Sequence, residues 1–157
     1  MNIHKMDITK QIEFLKNQRS NLLLQLENLS NDELIFIPEG SNNNILWNLG
    51  HILVIPQHHF YVVNGYAAHV EQYYIQHYMS GTRPLATDID KEYKTIKELL
   101  LPTADFLKDD YDNGMFNNFR AFGNKDFIET LEFLTKHEAG HITKINQLLN
   151  QLNKPNK

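Results

Sequence analysis

His137-Glu138-Ala139-Gly140-His141 sets two imidazoles four residues apart with a carboxylate between them. On a helix, positions four apart stand one above the other with Cβ atoms about 5–6 Å apart, so both rings can reach one metal ion at ~2.0–2.1 Å. Two ligands hold an ion weakly, and the pair calls for a third. The stretch also has the form HExxH, in which zinc peptidases use the glutamate as general base. Neither the longer metzincin pattern nor a downstream glutamate ligand can be completed, because no His, Asp or Glu follows His141. Any third ligand must come from upstream.

Of the eight histidines, His51 is the best placed, bracketed by Leu49, Ile52 and Val54 in a run with little polar face. An imidazole buried there needs a polar partner. Two readings stand: a core histidine bonded to a carbonyl, or a metal ligand acting with His137 and His141. Glu138 can be read as a general base, as an orienter of an imidazole, or as a helix glutamate that reaches solvent or pairs with a lysine. Asn48, one turn before His51, is a candidate for a contact behind the ligands, or an asparagine facing a loop. His58, two turns after His51, is a candidate for the same cavity. His4, His59, His69 and His77 read as exposed or near a crossover.

The chain has no cysteine. That excludes a disulfide, a thiolate ligand and a cysteine nucleophile, so metal chemistry would rest on histidine and carboxylate, and any thiol would be a cosubstrate. A net charge of −4 and a pI near 6.0 give no basic bias toward nucleic acid. The first residues carry no apolar leader, and the aliphatic run Ile52 to Ile55 is far too short to span a bilayer. These features predict a soluble, cytoplasmic protein with no membrane partner. At 157 residues, a single domain over 1–157 is expected.

Four amphipathic patterns supply the elements that must position the histidines. Ile8, Ile12, Leu15, Leu22, Leu26 and Leu29 form the seam of a first helix, broken by Arg19, with Asp7 as N-cap. Ser30 and Glu33 form a capping-box pattern before a short run that Pro38 stops. A second helix is predicted from about Asn44 to Asn64, apolar nearly all round in its first half, kinked at Pro56 and ended by Gly65. Residues 66–86 lack a clear period, with room for an extra helix within Tyr66 to Met79. A connection of that length allows a long crossover between the second and third helices. The third is predicted to start near Thr87 with Asp88 and Asp90 in its first turn, and Pro102 to kink or split it. The fourth is predicted from an Asn124 cap to Leu152, its seam passing through Glu138 and His141. With no convincing strand, the fold class predicted is all-α, a four-helix bundle.

With these elements in place, the chain resembles the DinB-like (DinB/YfiT-like) superfamily of metalloproteins. The likeness lies in Asn44-Ile45-Leu46-Trp47-Asn48-Leu49-Gly50-His51-Ile52, in Gly81-Thr82-Arg83-Pro84 before the third helix, and in His137-Glu138-Ala139-Gly140-His141-Ile142. The resemblance implies a four-helix bundle whose metal histidines are His51, His137 and His141. It further implies a divalent ion such as zinc or nickel, a homodimer, and transfer or isomerisation chemistry that uses a low-molecular-weight thiol. Two other readings compete with a small-molecule transferase of this kind. One is an HExxH hydrolase with Glu138 as base, and the other a non-catalytic metal-binding or dimerisation module.

Overall fold

The computed structural model describes residues 5–85, 87–120 and 123–153, and the described residues are helical with no strand. The elements are α1 (Thr9–Leu26), α2 (Asn31–Ile35), α3 (Ile45–Pro56), α4 (Gln72–Tyr78), α5 (Ile89–Asp112) and α6 (Phe127–Leu152), with a π-helical stretch, Gln57–Val62, prolonging α3. No helix among the described residues is long and apolar enough to cross a membrane. The expectation for His4 falls outside the described residues.

The four long helices make the bundle. Lys16 meets Asp105 and the Tyr93 hydroxyl reaches the Leu26 carbonyl, so α1 and α5 run in opposite directions. Asn48 meets His141 while Phe60 meets Phe127, which makes α3 antiparallel to α6. Lys10 and Phe14 lie beside Leu131 and Thr135, and Gln25 beside Asn146 and Leu149, so α1 and α6 run together. The order is thus up, down, down, up. Because α3 and α5 are parallel, the chain must cross the length of the bundle between them. Residues 63–88, with α4 inside them, are that crossover.

Helix starts follow the capping residues, though not always the first polar residue available. Ser30 and Glu33 make the reciprocal bonds of a capping box at α2. Asn44 accepts from the Trp47 amide at 2.7 Å. At α6 the cap is Asp126 rather than Asn124, because Asp126 has Glu129 three residues on to return the bond. Asp88 is itself the cap of α5, leaving Asp90 and Glu92 in its first turn. Asp7 caps α1 from one residue further out, accepting from the Thr9 amide at 2.9 Å while Ile8 holds the N-cap position.

Neither inner proline breaks its helix. Past Pro56 the backbone widens, with the Val63 amide reaching the His58 carbonyl five residues back at 3.0 Å, and the run ends at Gly65 with φ +78°. Pro102 lies inside an uninterrupted α5, where side chains supply donors to neighbouring carbonyls: Thr103 Oγ1 to Leu99 and Arg19 Nη1 to Leu100.

Every residue from Ile45 to Ile55 is buried, which makes α3 the central helix. Two apolar clusters surround it. One gathers Leu22, Leu26, Leu49, Leu53, Ile96 and Ile145, and the other Ile12, Phe60, Leu107, Phe116, Phe127 and Leu131.

Candidate metal site

His51 on α3 and His137 and His141 on α6 come together as the sequence pattern anticipates, with one ligand atom from each lying within 4.8 Å of the others. Their ring centroids are 4.4 Å apart for His51 and His141, 5.3 Å for His51 and His137, and 4.6 Å within the pair on α6. His51 and His141 are 2% and 8% exposed, and His137 is half-buried at the rim. Among the described residues this is the group of histidines and carboxylates that could hold a metal ion.

The outer nitrogens of the two buried rings are fixed. His51 Nδ1 lies 2.7 Å from the Tyr78 carbonyl oxygen, which can only accept, so Nδ1 carries the proton and Nε2 its lone pair. His141 Nδ1 lies 2.8 Å from Asn48 Oδ1. The orientation of that amide is set by its other end, since Asn48 Nδ2 donates to Asn43 Oδ1 at 2.9 Å and to the Asn44 carbonyl at 2.8 Å. His141 Nδ1 is therefore also the donor, and its Nε2 faces His137 Nε2 at 3.3 Å. Two nitrogens bound tetrahedrally at ~2.0–2.1 Å from zinc are separated by about 3.3–3.4 Å. The α6 pair has that spacing, and a set of imidazole donors suits a divalent first-row transition metal ion.

Burial keeps the three rings neutral, as ligands must be. Desolvation pulls His51 down against the raising effect of the Tyr78 bond. His137 is lowered by burial and then by the positive Lys144. His141 is pushed down to about 3 by burial, followed by the charges of His51, His137 and Lys144.

Packing supports the same arrangement. Trp47 stacks on His51 with ring centroids 4.7 Å apart and planes 15° from parallel, and its indole N–H donates to Thr82 Oγ1 at 3.0 Å. Gly50 lets the Tyr78 ring press against α3, because a Cβ there would sit 2.3 Å from a ring carbon. The Tyr78 hydroxyl donates to the buried Glu92 at 2.7 Å, which holds the residue whose carbonyl orients His51.

Glu138 points elsewhere. It is 3% exposed and faces α1, where Arg19 Nε and Nη2 contact Oε1 at 2.9 and 2.8 Å and Gln18 Nε2 contacts Oε2 at 3.1 Å. The reading of a glutamate reaching solvent or pairing with a lysine is corrected: the partner is a buried arginine. Burial pushes the Glu138 carboxyl up, against the lowering effect of the Arg19 charge and of the hydrogen bonds from Arg19 and Gln18.

Among the described residues, His58, His59, His69 and His77 are not members of this group. His58 contacts His59 edge-on at 5.2 Å, His69 Nε2 pairs with Asp110 at 2.8 Å, and His77 Nδ1 donates to the Tyr73 carbonyl at 2.7 Å. His59, in the stretch that leads into the crossover, is half-buried and lowered to about 4, by burial first and then by His58 and His137. His51 bonds a carbonyl through one nitrogen, as the core reading has it, and also lies within the group of histidines that could hold an ion. Tyr78 and Lys144 were not legible as parts of the site. Tyr78 acts through its backbone, which any residue type supplies, and Lys144 is one of many helix lysines.

Residues 15–145 match the family model of the DinB superfamily. No curated protein and no solved structure matches the chain.

Proposed function

The chain belongs to the DinB superfamily, and from that premise we propose that His51, His137 and His141 bind one divalent transition metal ion, zinc or nickel, with a coordination position left open. We further propose that the protein is a small-molecule transferase that takes a low-molecular-weight thiol as cosubstrate. The observation that carries the metal reading is the orientation of the rings. Tyr78 and Asn48 hold the Nδ1 protons of His51 and His141, so Nε2 of each ring is left with its lone pair, and that of His141 faces His137 Nε2. Backbone or amide partners on the outer nitrogen are what metal-binding histidines generally have.

Three neutral histidines leave room for water or substrate, as in catalytic rather than closed structural sites. A bound ion would supply Lewis acidity, lowering the pKa of a water or thiol that reaches it. This chain's own part is to orient the imidazoles through Tyr78 and Asn48 and to cover His51 with Trp47. No cysteine competes for the open position, so the thiol would come from outside. The hydrolase reading, with Glu138 as base, draws no support from a carboxylate already engaged by Arg19 and Gln18. A homodimer is part of the proposal, and sedimentation of the same preparation reads it out.

The test is elemental analysis of the purified, untagged protein beside His51→Ala. About one equivalent of metal per chain, falling sharply in the variant, is expected for three histidines acting as one site. No metal above background after supplementation would sink the reading. The thiol step is tested by adding 2-mercaptoethanol to the cobalt(II) form and following its visible spectrum. A metal whose spectrum no thiol alters would instead mark a non-catalytic module.

A further inference from the structure

Glu138 sits between two histidines in sequence, yet its side chain is turned away from them and buried against another helix. At ~100° per residue, the direction midway between His137 and His141 lies about 80° around α6 from Glu138. Fixing where Glu138 points therefore fixes where both imidazoles point. The fixing is done from two other helices. Arg19, 2% exposed, grips Glu138 Oε1 through Nε and Nη2 at 2.9 and 2.8 Å, and its Nη1 reaches the Leu100 carbonyl on α5 at 2.6 Å. Gln18 holds the second carboxylate oxygen at 3.1 Å. One side chain thus ties α1, α5 and α6 together, with Leu22 of one apolar cluster and Leu15 of the other on either side of it along α1.

Apolar side chains at these positions would fill the same space without selecting one rotation of α6. A forked, charge-assisted contact is directional, and setting register is the best-attested role of a buried polar group. We infer that the Arg19–Glu138 pair is a positioning device that sets the rotation of α6 and thereby holds His137 and His141 against His51. Glu138, the counterpart of the peptidase base in the HExxH pattern, acts here as a clamp between helices and does not touch the ion. The inference rests on the metal reading given above.

The test compares the intact wild-type protein with Arg19→Met combined with Glu138→Leu, with Arg19→Lys, and with a control that removes the exposed α1–α5 pair, Lys16→Met combined with Asp105→Leu. Two quantities are read in each. One is the cobalt(II) dissociation constant from optical titration. The other, measured without metal, is the set of imidazole N–H proton signals of His51 and His141 in nuclear magnetic resonance. Circular dichroism establishes which variants are folded.

In the folded double variant, cobalt affinity is expected to fall tenfold or more, and the His141 N–H signal to shift or exchange faster. Arg19→Lys is expected to fall between, and the exposed control to match wild type. A folded double variant with wild-type affinity and wild-type imidazole signals overturns the inference, as does an equal loss in the control. Should the double variant not fold, Arg19→Lys decides: folded and indistinguishable from wild type, it overturns the inference. If wild type binds no cobalt, the metal reading fails by itself, and the imidazole signals still decide whether the pair sets the rings.

Discussion

A neutral imidazole at pH 7 is ordinary; three of them packed ring to ring, each with its pKa lowered by burial, are not. Burial is the main cause, and it leaves a mark on stability that needs no metal to observe. In the unfolded chain a histidine titrates near 6.5, whereas folded His141 is pushed down to about 3, so between these values the unfolded state binds the extra proton. Stability of the metal-free protein is then fully present above about pH 6.5 and is lost as pH falls toward 3, with a limiting slope of ~1.4 kcal/mol per pH unit for each such proton. Urea unfolding at pH 7, 6 and 5 should show the decline, and His141→Gln should make it shallower; a profile unchanged by that substitution would contradict the assignment. Asn48 offers a second test at this scale. It is fully buried and accepts the His141 Nδ1 proton at 2.8 Å, so Asn48→Ala should weaken metal binding about 10- to 100-fold in a competitive chelator titration. The His137–His141 pair was legible in the sequence because its chemistry is local, and His51 because a lone polar ring stood in an apolar run. The partner of Glu138 was not legible, because Arg19 is 119 residues away and read only as a break in a seam.

Between residue and bundle, the contact of α3 with the crossover decides where His51 sits. Gly50 is the residue that permits it. In an unencumbered helix alanine is favoured over glycine by about 1 kcal/mol. At position 50, however, a Cβ would lie 2.3–2.6 Å from three carbons of a buried Tyr78 ring whose hydroxyl is tied to Glu92. Overpacking of that kind costs about 1–3 kcal/mol, and part of the strain would pass to the Tyr78 carbonyl that orients His51. Gly50→Ala is therefore expected to lower the denaturation midpoint despite its better propensity, and a more stable variant would show that Tyr78 can move aside freely. The helices themselves were legible from periodicity, and their ends less so. Ser30 and Glu33 stand out as a capping pair, whereas before α6 both Asn124 and Asp126 can cap, and only the reciprocal bond from Glu129 selects the second. Neither Pro56 nor Pro102 ends its run of helix: the backbone widens into a π-helical stretch past the first, and α5 continues unsplit through the second.

For the molecule as a whole, the up, down, down, up order brings α3 beside α6, and the histidines they contribute lie far apart along the chain. The length of the 66–86 connection allowed this crossover from sequence, but relative helix direction required the cross-helix contacts Asn48–His141 and Lys16–Asp105. An ion held by His51, His137 and His141 would join the central helix to the last one, a link that the unfolded chain cannot make. Binding to the folded state alone stabilises by RT ln(1 + [L]/Kd), or ~2.7 kcal/mol at a hundredfold excess over Kd. For a domain of this size 1 kcal/mol moves Tm by about 2–4 °C, so saturating zinc or nickel should raise the calorimetric midpoint by about 5–11 °C. The rise should grow with metal concentration and vanish in both His51→Ala and His141→Ala, because either substitution leaves two ligands, too few to hold the ion. A rise that survives in His51→Ala would place the ion on α6 alone, where it could not link the two helices, and the three-histidine site would have to be abandoned.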